Sequence, residues 1–98
     1  MTITKTINGT TLEAAVEGRL DTTTAPAFEK EIADSLEGIT GLVLNFEKLE
    51  YISSSGLRAL LRLQRSLASN AEIQVIIAND MVKEVFEVTG FDSFISIQ

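Results

Sequence analysis

The sequence of 98 residues contains no cysteine, no histidine and no tryptophan. The lack of cysteine and histidine excludes disulfide bonds, a thiolate nucleophile and the zinc sites that these two residue types build. A serine–histidine–aspartate triad cannot be assembled from this chain alone. The sequence also has no pair of carboxylates in an apolar setting and no glycine-rich phosphate-binding motif. We therefore expect that the chain is not an enzyme and that it holds no cofactor and no metal.

Positive charge is scarce as well. Lysine and arginine number 8 against 14 acidic residues, so the net charge is −6 at pH 7 and the pI is about 4.5. This balance disfavours nucleic acid as a partner and adsorption to an anionic membrane. The first residues lack the apolar segment of a signal peptide, and the longest apolar runs are only a few residues. We expect a cytoplasmic protein without direct membrane insertion.

The composition is otherwise that of a folded protein. Hydrophobic residues make up 45 % of the chain and charged residues 22 %, which is close to the average for soluble domains. The length fits one domain over residues 1–98, and the chain has no internal repeat, linker or low-complexity tract. We expect a monomer with an aliphatic core.

The first twenty residues predict an antiparallel hairpin. Residues 2–7 form an extended run, and Asn8-Gly9 favours a tight turn because both residues tolerate positive φ. The return strand over residues 10–20 has a period of two, which indicates one buried face and one partly wetted face. The buried face would carry Leu12, Ala14 and Val16.

A first helix is predicted to begin at Thr24 or Ala25, since Pro26 suits a first helical position. Gly38 and Gly41 are expected to bracket the end of this helix. Its inward positions are Phe28, Ile32 and Leu36, and its outward, solvated positions are Glu29, Lys30, Glu31 and Asp34.

The rest of the chain alternates strands with helices. The predicted elements begin with a strand at 42–46 buried on both faces, a connection at 47–50, and a second helix that runs from the serine-rich stretch to about Ser69–Asn70 and has on one face Leu57, Leu60, Leu61, Leu67 and Ala68. A strand at 73–78 and a third helix follow; this helix is capped by Asn79-Asp80, is stopped by Gly90 and has as its inward residues Val82, Val85 and Phe86. An edge strand is predicted at 94–97. This order predicts an α/β fold, a single-domain mixed β-sheet with an N-terminal antiparallel hairpin, mostly parallel remaining strands and about three main helices.

Two polar loops follow predicted strands and precede predicted helices, at 21–24 and 53–55. Loops after parallel strands gather at one sheet edge, where ligands of α/β proteins bind, so these two could share that edge. The Ser55 hydroxyl either caps its helix or is offered to a partner. Asp21 is either a turn residue of its own loop or a neighbour of Ser55 at an interface. Gly56 either relieves crowding for an approaching partner or relaxes the first turn of the helix.

Arginines recur along the second helix at positions 58, 62 and 65, and the spacing places them on one stripe. This stripe is either a solvated face opposite the leucines or a contact face for an acidic partner.

The residues of these segments resemble a known family. Gly18-Arg19-Leu20-Asp21 before a threonine-rich helix start resembles the first block of the STAS domain. Residues 42–46 followed by Ile52-Ser53-Ser54-Ser55-Gly56-Leu57 resemble its central block. The region of Asn79, with residues 85–91, resembles its closing helix. Within the family, the chain is similar to the stand-alone bacterial anti-sigma factor antagonists.

The resemblance implies a function. The central motif of the family reads Asp-Ser-Ser-Gly-Leu, and its second serine, which is phosphorylated, corresponds to Ser55. Ser54 corresponds to the first serine, and Ser53 stands where the family has aspartate. A member of this group binds an anti-sigma factor, often a serine kinase, is switched off when that kinase phosphorylates the serine, and is restored by a serine phosphatase.

The partner-binding surface implied by the resemblance lies on the two loops and the second helix. It comprises Asp21, Thr22, Thr23, Ser53, Ser54, Ser55, Gly56, Leu57, Arg58 and Arg62. The replacement of the family aspartate by Ser53 leaves an alternative open: a STAS accessory subunit of a membrane transport complex, which binds a transporter ATPase and need not be phosphorylated.

Overall fold

Six strands and three α-helices are formed by residues 1–67 and 71–98, the part of the chain that the computed structural model describes. The strands are β1 (Thr2–Asn8), β2 (Thr11–Leu20), β3 (Gly41–Asn45), β4 (Leu49–Ile52), β5 (Glu72–Ile76) and β6 (Ser96–Ile97). The helices are α1 (Ala25–Ala33), α2 (Ser54–Ser66) and α3 (Asp80–Thr89), with a 3₁₀ turn at Phe91–Ser93. None of these helices combines the length and the apolar character needed to cross a bilayer.

The strands form one mixed sheet. Its order is β1-β2-β3-β5-β6, with β4 paired to β2 outside this path. The β1–β2 pair is antiparallel and every other pair is parallel. The α/β fold predicted from the sequence, a mixed sheet with an N-terminal hairpin and three helices, is confirmed.

Strand β2 is shared by two neighbours along the same edge. Its first half pairs with β3, and its last residues pair with β4 after an irregularity between Gly18 and Arg19. The prediction that residues 47–50 are only a connection is wrong, because β4 begins at Leu49. A strand of 4 residues is too short to show a period of two in the sequence. This pairing places the end of β4 beside the end of β2.

The core lies on one face of the sheet. Alternate residues of β2, β3 and β5 form a single buried cluster with the inward residues of all three helices. On β3, Leu42 and Leu44 are fully buried, whereas Val43 and Asn45 are only half-buried. The prediction that this strand is buried on both faces is therefore wrong, because the helices cover the face that holds Leu42 and Leu44.

The hairpin turn is displaced by one residue from its predicted place. Asn8 is the last residue of β1 and pairs with Thr11, so the turn is Gly9-Thr10. Gly9 has φ +65, whereas the φ of Thr10 is not positive. A positive φ at the first turn residue alone is the pattern of the type II′ hairpin turn, which has glycine there.

Two helices end earlier than predicted. Helix α1 ends at Ala33, before Gly38 and Gly41, and Leu36 packs against the core from beyond the helix. Helix α2 ends at Ser66, because the backbone of Leu67 is extended. The predicted helical residues Ala68, Ser69 and Asn70 lie outside the described residues.

Helix α3 has the ends that the sequence predicts. The Asn79 side chain caps it by accepting a hydrogen bond from the Val82 N–H at 2.8 Å. The helix stops at Gly90, whose backbone is left-handed. The edge strand that follows is shorter than predicted, since the 3₁₀ turn at residues 91–93 leaves Phe94 with a helical backbone and β6 begins at Ser96.

Strand β5 ends at Ile76 rather than at Ala78 because Ile77 adopts φ +57. A β-branched residue is unfavourable in this left-handed region. The Ile77 side chain is also 53 % exposed, so little burial compensates for the strained backbone. The chain bends at this residue between β5 and the start of α3.

We expect Ile77→Asn to raise the free energy of unfolding by about 0.5–1 kcal/mol, because asparagine tolerates the left-handed region. Urea denaturation measures the change. The matched control is Met81→Asn, at a similarly exposed position (54 %) within α3, where asparagine lowers helix stability. A loss of stability in Ile77→Asn as large as in the control would show that the backbone at Ile77 is not strained.

Candidate functional site

The two polar loops lie side by side at the ends of β2 and β4. Leu20 pairs with Ile52 in parallel register, and the Ser53 N–H donates to the Leu20 carbonyl at 2.9 Å. The chain leaves both strands in the same direction and enters α1 and α2. The expectation that loops 21–24 and 53–55 share one edge of the sheet is confirmed.

Asp21 organises its own loop. Its Oδ1 accepts hydrogen bonds from the Thr23 N–H (3.0 Å), the Thr23 hydroxyl (2.7 Å) and the Thr24 N–H (3.3 Å). The hydrogen bond from the Thr23 side chain is the main reason that the pKa of Asp21 lies below its ordinary value. The carboxylate is therefore charged at neutral pH, and the turn role proposed for Asp21 is the one these contacts support.

Arg19 completes this side of the site from the end of β2. Its guanidinium lies 4.7 Å from the centre of the Tyr51 ring and its Nε is 3.9 Å from Asp21 Oδ2. A cation over an aromatic face is attracted by the ring quadrupole. The contact links the ends of β2 and β4 on the solvent side.

Ser55 occupies the first turn of α2 and is half-buried. Its Oγ lies 3.0 Å from Thr22 Oγ1 in the neighbouring loop and accepts a longer hydrogen bond, 3.4 Å, from Arg58 Nη2. Thr22 and Arg58 are both exposed. The hydroxyl of Ser55 is thus held at the surface between two loops rather than inside the core.

The other two serines differ from each other. Ser54 is exposed as the first residue of α2. Ser53 has the position and extended backbone of an N-cap residue, yet within residues 1–67 and 71–98 its side chain makes no cap hydrogen bond and its buried Oγ has no partner. Ser53 therefore holds the N-cap position without a side-chain cap, because its hydroxyl lies inward, away from the free N–H groups of the first turn.

Gly56 and Leu57 face the core. Both are buried, and a Cβ at Gly56 would lie 2.8 Å from Ile52 Cγ1, 2.8 Å from Leu20 Cγ and 3.1 Å from the Leu20 carbonyl oxygen. Neither reading of Gly56 made from the sequence describes this arrangement. The glycine is there because α2 begins in direct contact with the ends of β2 and β4.

The arginine stripe divides into different roles. Arg62 forms an ion pair with Glu29 of α1, in which Nε lies 2.9 and 3.0 Å from the two carboxylate oxygens and Nη2 lies 2.8 Å from Oε1. This hydrogen bonding raises the pKa of Arg62 above its ordinary value. Arg65 is exposed in the last turn of the helix. Sequence reasoning placed Glu29 on a solvated face and missed its contact with Arg62, which no local pattern signals.

A shallow hollow of about 200 Å³ joins these groups. Its lining residues are Thr22, Ala25, Pro26, Ser55, Arg58 and Arg62. Among the described residues, no cluster of acidic side chains could hold a metal ion. Hydroxyl groups and guanidinium groups are the polar groups that this hollow offers, and guanidinium groups form strong hydrogen bonds with carboxylates and phosphates.

Comparison with known proteins identifies relatives over most of the chain. The STAS domain family matches residues 2–98. BtrV of Bordetella bronchiseptica, named as an anti-sigma factor antagonist, is 33 % identical over 88 residues, covering 88 % of this chain and 76 % of that protein. The anti-sigma-B factor antagonist of Staphylococcus aureus is 26 % identical over 87 residues, covering 87 % of this chain and 81 % of that protein. These relatives are regulators rather than enzymes, in agreement with the expectation for this chain.

Solved structures share the fold. An anti-sigma factor antagonist from Mycobacterium paratuberculosis superposes with a TM-score of 0.88 at 23 % identity, covering 98 % of this chain and 83 % of that one. Unphosphorylated SpoIIAA gives 0.85 at 21 % identity, with 99 % and 88 % coverage. The phosphorylated form of the Bacillus protein SpoIIAA gives 0.75 at 20 % identity, with 99 % and 91 % coverage.

We expect Gly56→Ala to lower the free energy of unfolding by about 1–2 kcal/mol, since overpacking against two side chains and a carbonyl outweighs the better helix propensity of alanine. The matched control is Gly41→Ala, where the nearest atom, Thr11 Oγ1, would lie 3.5 Å from the new Cβ and stability should hold or rise. Urea denaturation compares the two variants. Equal stability of both would show that α2 does not depend on the close approach.

Ser53→Ala should change the free energy of unfolding by less than about 0.5 kcal/mol, because the hydroxyl it removes is buried and has no hydrogen-bond partner in the described part of the chain. Asn79→Ala, which removes a true cap, should cost about 1 kcal/mol. Thermal and urea unfolding of both variants against wild type give the comparison. A cost at Ser53 that matches the cost at Asn79 would mean that the Ser53 hydroxyl does cap α2.

Proposed function

The chain belongs to the STAS domain family, and we propose that it is an anti-sigma factor antagonist that binds an anti-sigma factor and is switched off by phosphorylation of Ser55. The observation that carries this proposal is the placement of the Ser55 hydroxyl. It lies at the start of α2, half-exposed, in a hollow between two loops, with Thr22 and Arg58 as its neighbours. The relatives named as anti-sigma factor antagonists support the same assignment.

The proposed partner is an anti-sigma factor that is itself a serine kinase. In the modification, Ser55 Oγ attacks the γ-phosphorus of ATP held by the kinase, a new O–P bond forms and the P–O bond to ADP breaks. The hydroxyl proton passes to a base of the kinase. A serine phosphatase reverses the reaction by hydrolysis. The antagonist acts in the cytoplasm as a monomer.

The modification changes the surface and leaves the core intact. A phosphoserine carries about −1.5 to −2 charges at neutral pH and three strong acceptor oxygens. At the first turn of a helix, this charge meets free N–H groups and the positive end of the dipole, a favourable setting worth roughly 0.3–1 kcal/mol. In a contact patch, the same charge must be desolvated or repelled by the partner. Phosphorylation therefore acts on binding rather than on folding.

The partner surface is the set of groups around the hollow. The side chains that a partner can reach are those of Thr22, Thr23, Ser54, Ser55, Arg58 and Arg62. Gly56 and Leu57 support these side chains from the core. Asp21 and Ser53 act through the loop backbone. The net charge of the chain is −6, but its arginine side chains make this patch locally positive. An acidic surface on the partner would complement that positive charge. The transport alternative finds no support among the relatives reported above, which are all sigma-factor regulators.

We expect Ser55→Asp to weaken binding of the anti-sigma factor by roughly a hundredfold or more, which corresponds to ~3 kcal/mol. Its melting temperature should stay within about 3 °C of wild type, because a carboxylate is tolerated in the first turn of a helix. Calorimetric titration with the anti-sigma kinase of the same genome, together with thermal unfolding, measures both quantities.

Two further variants serve as controls. Ser55→Ala should bind like wild type and should not accept phosphate from the kinase and ATP, as mapped by mass spectrometry. Ser93→Asp, which adds the same charge on the 3₁₀ turn, should bind like wild type. Unchanged binding by Ser55→Asp, or phosphate mapped to another residue of the wild-type chain, would overturn the proposed switch.

A further inference from the structure

Arg58 already contacts the proposed phosphorylation site from within the same chain. Ser55 and Arg58 are three residues apart on α2, so their side chains lie on the same face of the helix. The Arg58 Nη2 group donates to Ser55 Oγ at 3.4 Å, the long end of the hydrogen-bond range. Within residues 1–67 and 71–98, Arg58 takes part in no ion pair. Most of its five N–H donors are therefore available to a stronger acceptor.

We propose that Arg58 binds the phosphate of phosphorylated Ser55 in the same chain, and that this ion pair withdraws the guanidinium from the partner surface. The proposal rests on the proposed modification of Ser55. It adds that the protein itself contains the residue that binds the phosphate group. Phosphorylation then has two effects on the patch: a dianion appears at Ser55, and the nearest cation is no longer free to meet an acidic partner.

The contact needs little rearrangement. The terminal oxygens of a phosphate reach beyond Oγ, so they approach the guanidinium that lies 3.4 Å from Oγ in the unmodified chain. Arginine and phosphate form short, charge-assisted and often bidentate hydrogen bonds. The Thr22 hydroxyl, 3.0 Å from Ser55 Oγ, can donate to a third oxygen. The hollow beside these groups has room for the phosphate because it is open to solvent.

The other charged groups near the site are already engaged. Arg62 is bound to Glu29 by three contacts of 2.8–3.0 Å, so its charge is matched by a carboxylate. Arg19 lies on the Tyr51 ring and near Asp21. Arg65 follows Ser55 by ten residues, a rise of about 15 Å along a helix. Arg58 is therefore the cation that a phosphate on Ser55 meets first.

The test uses a chain in which phosphoserine is installed at position 55 during synthesis, so that no kinase is needed. A ³¹P NMR titration gives the second pKa of the phosphate, ordinarily about 6. An adjacent guanidinium favours the dianion, so the phosphate of the Arg58 chain should show a pKa about 0.5–1 lower than that of the Arg58→Gln chain. Arg58→Lys, which keeps the charge without the planar fork, should lie between the two.

The matched control is Arg65→Gln, an equal loss of charge from an exposed position on the same helix, which should leave the phosphate pKa at the wild-type value. An equal pKa in the Arg58 and Arg58→Gln chains, or an equal change in the two glutamine variants, would overturn the proposal. Because the phosphate is built in, these results are independent of the proposed function. If no anti-sigma factor binds the unmodified chain, the proposed function is wrong. The contact between Arg58 and the phosphate is still tested separately by the pKa of the phosphate.

Discussion

The contact of Gly56 with Leu20 and Ile52 positions the whole site. Because glycine has no side chain, the first turn of α2 lies directly on the ends of two parallel strands, at distances where any Cβ would meet carbon atoms at 2.8 Å. The Ser53 N–H ties the same turn to the Leu20 carbonyl. The loop after β2 and the start of α2 are therefore held at a fixed separation. Thr22 and Ser55 come within hydrogen-bond distance as a consequence of this packing.

The polar groups of the Asp21 loop form hydrogen bonds with one another, so a small set of groups remains available to a partner. The Asp21 carboxylate is occupied by Thr23 and Thr24, and the Arg62 guanidinium by Glu29. What the hollow presents is the pair of hydroxyls on Thr22 and Ser55, together with Arg58. In the proposed switch, one covalent modification changes this surface while the buried contacts beneath it stay as they are.

The sign of the local charge matters because the rest of the chain is acidic. The net charge is −6, yet arginines line the hollow beside Ser55. In the proposed switch, a phosphate of nearly two negative charges reverses the local sign, and a partner that binds the cationic patch then meets repulsion. The proposed pairing of Arg58 with this phosphate would leave the modified surface solvated without restoring the original patch.

The sequence by itself determined the main architecture and the place of the hydroxyl. The alternating apolar residues of β2, the Asn79 cap and the order of strands and helices are signals carried within a few neighbouring residues, and each appears in the structure. The position of Ser55 at the start of a helix is of the same kind. The sequence predicts these features because backbone preferences and the period of buried residues depend on residues that are close together in the chain.

Only the tertiary structure decided which groups surround that hydroxyl. The pairing of β4 with the end of β2 brings Thr22 to Ser55 and Glu29 to Arg62, and each pair is separated by 33 residues. It also turns the Ser53 hydroxyl inward, although its residue type and position favour a cap. These contacts depend on strand register and on the depth at which α2 packs, and no run of neighbouring residues encodes either quantity.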